Sequence, residues 1–206
     1  MGVSMGPVPA RKLRGFAREI GGFPRCRTCR PGAARLALTV ALAAGPVLAG
    51  AGPVAHAASA TCLGQPATIV GTPGNDVING TPGDDVIAGL AGDDVINGNG
   101  GNDIICGDEG NDTIHGGQGD DVIQGGPGDD VIYGDEGRDS LNGGDGTDRV
   151  YGGPGDDDLA GGAGDDQLFG EDGNDSLSGG PGSDRCDGGP GTDSADSTCE
   201  TKTNIP

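Results

Sequence analysis

The sequence has very few large aromatic side chains. Aromatic residues make up 2 % of its 206 residues, Trp is absent, and Gly alone supplies 46 residues. A chain of this composition lacks the bulky side chains whose burial usually offsets the entropy of ordering. It is therefore either disordered, or stabilised by backbone hydrogen bonds and by a ligand of its polar groups.

Basic residues are scarce after residue 60. From Thr61 onward the chain has four basic residues and thirty-one acidic ones, whereas residues 1–60 hold eight of the twelve Lys and Arg. A segment this acidic should repel nucleic acids and anionic membranes and should attract cations. The charge excludes nucleic acid as a partner and favours a cation.

Residues 1–60 have the order of a secretory signal peptide. A basic region precedes sixteen uncharged residues, 36–51, and the small-residue sequence Ala58-Ser59-Ala60 follows. A membrane anchor is the alternative, but the apolar run is short and is interrupted by Pro46. We expect a secreted mature chain that is not inserted in a membrane. Retention at the cell wall, the start codon and the cleavage point stay open.

A nine-residue unit is repeated fourteen times between Gly71 and Asp196. Its pattern is Gly-x-x-Gly-x-Asp-x-apolar-x, and the first copy reads G-T-P-G-N-D-V-I-N. The eighth position is Ile in the first seven copies and mostly Leu or Val afterwards. Apolar residues that keep one phase over so many copies indicate a repeat architecture rather than disorder.

Each copy combines a turn with a minimal strand. Glycines at two fixed positions suit tight bends, and the last three residues alternate in the direction of their side chains. Two copies then close one coil, so the fourteen copies predict an all-β fold of about seven two-strand coils. Odd copies should form one parallel sheet and even copies the other, with the eighth-position side chains between them.

The sixth-position Asp of each copy should lie one coil away from that of the copy two places on. Two unit charges about 5 Å apart cost about 3 kcal/mol at an effective dielectric near 20, so rows of such carboxylates oppose folding of the metal-free chain. Ca²⁺ accepts carboxylate and carbonyl oxygens, whereas Mg²⁺ dehydrates reluctantly. There is no sustained Cys/His set for zinc.

The repeat resembles the hemolysin-type, or repeats-in-toxin (RTX), calcium-binding nonapeptide G-G-x-G-x-D-x-U-x over residues 71–196. The resemblance implies a parallel β-roll, a right-handed β-solenoid, with each Ca²⁺ ion between the loops of adjacent coils. Fourteen loops pair in twelve ways, so at most about twelve ions are expected. By the resemblance, carbonyls of the turns and the sixth-position aspartates are the metal ligands: Asp76, Asp85, Asp94, Asp103, Asp112, Asp121, Asp130, Asp139, Asp148, Asp157, Asp166, Asp175, Asp184 and Asp193.

The second glycine of the family pattern is replaced in seven copies, and we expect those loops to bind calcium less well. The replacements are Thr72, Thr81, Leu90, Asn99, Asp108, Asp135 and Glu171.

The ends of the repeat array carry four cysteines, which allow three pairings. We expect Cys62–Cys106 and Cys186–Cys199, because each bond would tie a terminal segment to nearby coils. Since Cys186 occupies an inward position, its bond requires an irregular last coil. Residues 61–70 are predicted to be an N-terminal cap, and residues 197–206 a C-terminal tail.

The outward seventh position is apolar in the first half, from Val77 to Val131, and polar in the second. This pattern predicts a surface for self-association or for a protein partner on the N-terminal half. High β-propensity alone is the alternative explanation.

The sequence therefore predicts a secreted calcium-binding protein that folds when it meets extracellular Ca²⁺. A structural or adhesive spacer at the cell surface is one alternative, and an accessory module of a secreted hydrolase is another. Neither H-E-x-x-H nor G-x-S-x-G occurs, so we do not predict an enzyme.

Overall fold

The computed structural model describes residues 60–205, which form strands and turns and contain no helix. The chain begins with a two-stranded antiparallel hairpin of β1 and β2, whose turn residues Leu63 and Gly64 both have positive φ. The strands are β1 Thr61–Cys62, β2 Gln65–Pro66, β3 Ile69–Val70, β4 Val77–Asn79, β5 Val86–Ala91, β6 Val95–Gly100, β7 Ile104–Glu109, β8 Thr113–Gln118, β9 Val122–Pro127, β10 Val131–Glu136, β11 Ser140–Asp145, β12 Arg149–Tyr151, β13 Asp158–Ala163, β14 Gln167–Phe169, β15 Ser176–Ser178, β16 Asp184–Asp187, β17 Ser194–Ala195 and β18 Cys199–Thr203.

The strands after the hairpin form two parallel sheets of eight strands each. One sheet has the order β4-β6-β8-β10-β12-β14-β16-β18, and the other has the order β3-β5-β7-β9-β11-β13-β15-β17. Neighbouring strands are offset by two copies of the repeat, so Ile132 lies between Ile114 and Val150. The prediction of odd copies in one sheet and even copies in the other is confirmed.

The eighth-position side chains fill the space between the sheets. They are buried in an unbroken series from Ile78 to Cys186, and Ala195 packs against the same core. The narrow core explains the composition, because each coil needs only two apolar side chains of moderate size. The predicted right-handed β-solenoid is therefore confirmed.

The solenoid has about eight turns rather than seven, because a strand without the repeat pattern is added at each end. Ile69 in β3 pairs with Ile87 and supplies an inward side chain before the first copy. At the other end, β18 pairs with β16 in parallel, and Ile205 packs against the core.

Both predicted disulfide pairings are present. Cys62 in the hairpin is bonded to Cys106 on the outer side of β7, and Cys186 is bonded to Cys199 in β18. The pairing of β16 with β18 contains a register shift between Asp184 and Arg185, so the last coil is irregular, as the inward cysteine requires. Each bond fastens a terminal segment to neighbouring coils.

A column of aromatic rings runs along the outer face of the sheet that contains β4. His115, Tyr133, Tyr151 and Phe169 occupy the ninth position of successive odd copies, and their rings stack at centroid distances of 4.5, 4.9 and 4.9 Å. The guanidinium of Arg185 lies 6.0 Å from the ring centroid of Phe169. We call these four rings the aromatic column. Stacking of this kind stabilises the coils from outside the core.

Residues 1–59, which include the predicted signal peptide, lie outside the described residues. Within the described part of the chain, no helix long and apolar enough to cross a membrane is present.

Candidate metal centre

The sixth-position aspartates lie in two rows, one beside each sheet, and all of them except Asp76 are buried. In twelve of them, one carboxylate oxygen, Oδ1, accepts a hydrogen bond from the backbone N–H of the aspartate one coil earlier. The distances are 2.7–3.0 Å. Asp112, for example, accepts from the N–H of Asp94 and donates its own N–H to Asp130. The bonds join every coil to the next and hold the carboxylates in register.

The second oxygen of the same twelve carboxylates has no hydrogen-bond partner although it is buried. A buried polar atom without a partner is costly, and native proteins leave few of them. Twelve such oxygens at equivalent positions are therefore suited to bind a cation. They are the Oδ2 atoms of Asp94, Asp103, Asp112, Asp121, Asp130, Asp139, Asp148, Asp157, Asp166, Asp175, Asp184 and Asp193.

Each unpartnered oxygen approaches the first-position Gly so closely that no other residue would fit there. A Cβ on Gly89 would lie 2.6 Å from Oδ2 of Asp94 and 2.6 Å from the carbonyl oxygen of Gly107. We call this close approach, at every first-position glycine, the glycine gap. From Gly89 to Gly170, all ten gaps are bordered by an aspartate Oδ2 and by a glycine carbonyl from the next coil. The repeat thus brings a carboxylate and a carbonyl oxygen together in each coil.

The electrostatics of the rows disfavour ionised carboxylates when no cation is present. Burial raises the pKa of Asp121, Asp130 and Asp157 to about 7, with neighbouring carboxylates adding to the shift and backbone hydrogen bonds opposing it. The pKa of Asp112 and Asp139 is raised to about 6 for the same first cause. A pKa near 7 leaves Asp121, Asp130 and Asp157 partly protonated at neutral pH, and a bound cation would favour their ionised form.

The donor set fits Ca²⁺. Within residues 60–205, no group of three or more His, Cys, Asp or Glu side chains converges on one point. What lies together in each coil is one carboxylate oxygen and one main-chain carbonyl oxygen, and mixed carboxylate and carbonyl coordination is what Ca²⁺ accepts. A soft-metal site would need thiolate or imidazole ligands, and the four cysteines of this region are in disulfides.

Asp76 and Asp85, the first two predicted ligands, differ from the other twelve. Oδ2 of Asp76 accepts hydrogen bonds from the backbone N–H and the hydroxyl of Thr72, at 2.6 and 2.8 Å. Oδ2 of Asp85 accepts the equivalent bonds from Thr81, at 2.6 and 2.9 Å. The Oδ2 atoms of these two carboxylates therefore already have two protein donors each.

The fifth position forms a second ladder that the sequence analysis did not identify. In ten copies an Asn or Asp side chain there accepts a hydrogen bond from the fifth-position N–H of the next coil, at 2.8–3.1 Å. The ladder is interrupted after Arg138, which has no acceptor atom, and after Thr147, whose shorter side chain accepts no such bond. The signal in the sequence was the frequency of Asn and Asp at this position.

The model of the RTX calcium-binding nonapeptide repeat, in four copies, matches the chain six times. The matches cover residues 70–105, 79–114, 107–141, 124–159, 133–168 and 160–195, which together exceed half of the chain. The chain belongs to the RTX calcium-binding nonapeptide repeat family. No curated protein matches it.

Membership of the RTX family agrees with the geometry of the rows. The matched region, residues 70–195, contains all fourteen sixth-position aspartates and all the glycine gaps. Calcium binding by the repeats is therefore supported by two independent observations, the family pattern and the unpartnered oxygens.

Proposed function

We propose that this RTX chain is a secreted calcium-binding protein whose β-solenoid forms when extracellular Ca²⁺ binds between the loops of adjacent coils. The observation that carries the proposal is the set of twelve buried Oδ2 atoms without a hydrogen-bond partner. The predicted signal peptide supports secretion. The role we propose is structural rather than catalytic.

The protein's own backbone positions the aspartate carboxylates. The backbone N–H of one coil holds Oδ1 of the next aspartate and leaves Oδ2 directed at the glycine gap. Bound calcium would supply the positive charge that lets these carboxylates remain ionised while buried. Asp94 to Asp193, with carbonyls of the turns, are the proposed ligands.

Coupling between coils follows from the same hydrogen bonds. The ten aspartates from Asp94 to Asp175 both accept from the coil before and donate to the coil after, so ordering of one coil places the ligands of the next. Folding should therefore be cooperative in calcium. Sites of extracellular modules bind with dissociation constants of about 10⁻⁴–10⁻³ M, which is suited to a chain that meets Ca²⁺ only outside the cell.

Circular dichroism of the purified chain, titrated with Ca²⁺, Mg²⁺ and EDTA, tests the proposal. We expect a disordered spectrum in EDTA, a cooperative change to a β spectrum with Ca²⁺, and little change with Mg²⁺ at the same concentration. A spectrum that Ca²⁺ leaves unchanged, or that Mg²⁺ changes equally, would contradict it.

An outer surface for self-association or for a protein partner stays a prediction. Val77 and Val95 are 73 % and 40 % exposed and lie side by side in register, whereas the exposed Val122 is on the other sheet. Val77 and Val95 are the most exposed valines of the predicted surface and are therefore the residues to substitute. If Val77→Lys with Val95→Lys leaves the sedimentation behaviour of the calcium-saturated chain unchanged, self-association through this surface is excluded.

A further inference from the structure

The first two loops of the solenoid have a different conformation from the twelve that follow. In copies three to fourteen the second-position residue has positive φ, whether it is Gly or not: Leu90 has φ 86° and Asn99 has φ 78°. Thr72 and Thr81, at the same position in copies one and two, are absent from the residues with positive φ. A β-branched side chain disfavours the left-handed region, which explains the difference.

The conformation of the second residue decides what its N–H contacts. In the first two loops, the N–H of Thr72 or Thr81 donates to Oδ2 of the aspartate in the same loop, and the threonine hydroxyl donates to the same atom. In copy eleven, the N–H of Gly162 donates instead to the carbonyl of Gly179 in the next coil. The threonine loops thus direct two donors at a carboxylate oxygen that later loops leave without a partner.

In all fourteen copies, the backbone conformation of the second residue matches the hydrogen bonding of the aspartate Oδ2. All twelve copies with positive φ at the second position have an unpartnered Oδ2, and neither threonine copy has one. The position of the oxygen changes as well. It lies 3.1 Å from the Cβ position of Gly71 and of Gly80, but 2.6 Å from that of Gly89. In the threonine loops the carboxylate oxygen is therefore withdrawn from the glycine gap.

We infer that Thr72 and Thr81 take the place of calcium in the first two loops, so that Asp76 and Asp85 are not calcium ligands. The inference rests on the proposed calcium binding by the later loops and restricts it. The N–H and hydroxyl donors supply to these carboxylates the stabilisation that a cation supplies elsewhere. The first turn, next to the hairpin that Cys62–Cys106 holds, is thus completed by the protein itself.

The position of these two loops, at the edge of the solenoid, explains why threonine in place of the second glycine is favourable there. The first two copies have no repeat loop one coil before them, so an ion there would take more of its oxygen ligands from water than an interior ion does. With the two threonines, the first turn needs no calcium ion. We expect this edge of the solenoid to be ordered at lower calcium concentrations than the interior.

The number of Ca²⁺ ions retained per folded chain, measured by native mass spectrometry at saturating calcium, tests the inference. Asp76→Asn with Asp85→Asn should retain the same number of ions as the unchanged chain. Asp112→Asn with Asp121→Asn, the matched pair in the interior, should lose at least two. Equal losses from both pairs would overturn the inference.

A second pair of substitutions tests the threonines without removing any carboxylate. Thr72→Gly with Thr81→Gly gives the first two loops the glycine of the family pattern and frees both Oδ2 atoms. We expect the folded chain to gain one or two ions, and an unchanged number would overturn the inference. If the unchanged chain retains no calcium at all, the proposed function itself is wrong, which is a separate result.

Discussion

Gly89→Ala is the sharpest perturbation of the glycine gap, because it adds one methyl group and removes no ligand. The new Cβ would lie 2.6 Å from Oδ2 of Asp94 and 2.6 Å from the carbonyl oxygen of Gly107. Ordinary van der Waals contact begins at 3.4 Å, so both oxygens would have to move by about 0.8 Å. Overpacking of a well-packed site typically costs roughly 1–3 kcal/mol of unfolding free energy, and the calcium site in this coil would be lost.

Gly74→Ala is the matched control. Gly74 is the fourth-position glycine of the first copy, and a Cβ there would meet nothing within 4 Å. Neither glycine has a φ in the left-handed region, so the comparison isolates the effect of space. We expect Gly74→Ala to leave the unfolding free energy within about 0.5 kcal/mol of the original value.

Urea unfolding at saturating calcium, followed by far-ultraviolet circular dichroism, measures the difference between these two variants. With a denaturant slope of about 1–3 kcal/mol/M, the expected loss lowers the urea midpoint of Gly89→Ala by about 1 M. Native mass spectrometry should show at least one calcium ion fewer than in Gly74→Ala. Equal midpoints and equal ion counts would refute the role assigned to the gap.

Three further predictions concern pH, stacking and the fifth-position ladder. Without calcium, the folded chain should become more stable as pH falls from 8 to 5. Burial raises the pKa of Asp121 from 3.8 to about 7, so the folded form takes up a proton over this range while the unfolded form does not. Each such group can add up to about 1.4 kcal/mol to the unfolding free energy per pH unit. Circular dichroism in EDTA should show more β structure at pH 5, and equal spectra would contradict the shift. Tyr151→Ala removes two ring contacts of 4.9 Å and should cost roughly 1–3 kcal/mol in urea unfolding. Asn142→Ala, at the same position on the other sheet, should cost less than about 0.5 kcal/mol, and equal costs would exclude stacking as the cause. Arg138→Asn supplies the missing acceptor for the N–H of Asp156 and should raise the unfolding free energy by roughly 0.5–1.5 kcal/mol relative to Arg138→Ala; no gain would refute the ladder's contribution.

Much of the fold could be predicted because the repeat keeps one phase. A period of nine with one apolar position determines which side chain is inward, so the core from Ile78 to Cys186 followed directly. The alternation of odd and even copies between two sheets followed from two copies per coil. Both disulfide pairings could be predicted because each cysteine pair lies at one end of the array.

The added strands at the ends could not be predicted from the repeat. Ile69 and the strand Cys199–Thr203 occupy repeat positions in space without the Gly and Asp pattern in sequence. Glu200 takes the part of the next aspartate in its row, since its Oε2 accepts from the N–H of Asp184 at 2.5 Å. The longer Glu side chain, next to a register shift, makes the same hydrogen bond as an aspartate. The spacing of the repeat does not predict this bond.

The replaced second glycines show that the sequence pattern alone does not predict how a replacement affects the loop. Seven replacements appear equivalent in the sequence, yet Asp108, Asp135 and Glu171 keep the left-handed backbone of the glycine loops, with φ of 72°, 70° and 71°. Only Thr72 and Thr81 change the loop, because a β-branched residue resists that backbone and its hydroxyl can reach the carboxylate. The distinction depends on conformation, which the pattern does not encode.

The most direct test of calcium binding by the sixth-position aspartates is a crystal structure of the chain grown in calcium, with the ions located by their anomalous scattering. The account predicts ions between the loops of adjacent coils, within about 2.3–2.6 Å of Oδ2 atoms from Asp94 to Asp193, and none bound to Asp76 or Asp85. Ions found only on exposed carboxylates such as Asp120 and Asp129, with the buried oxygens still unpartnered, would contradict it.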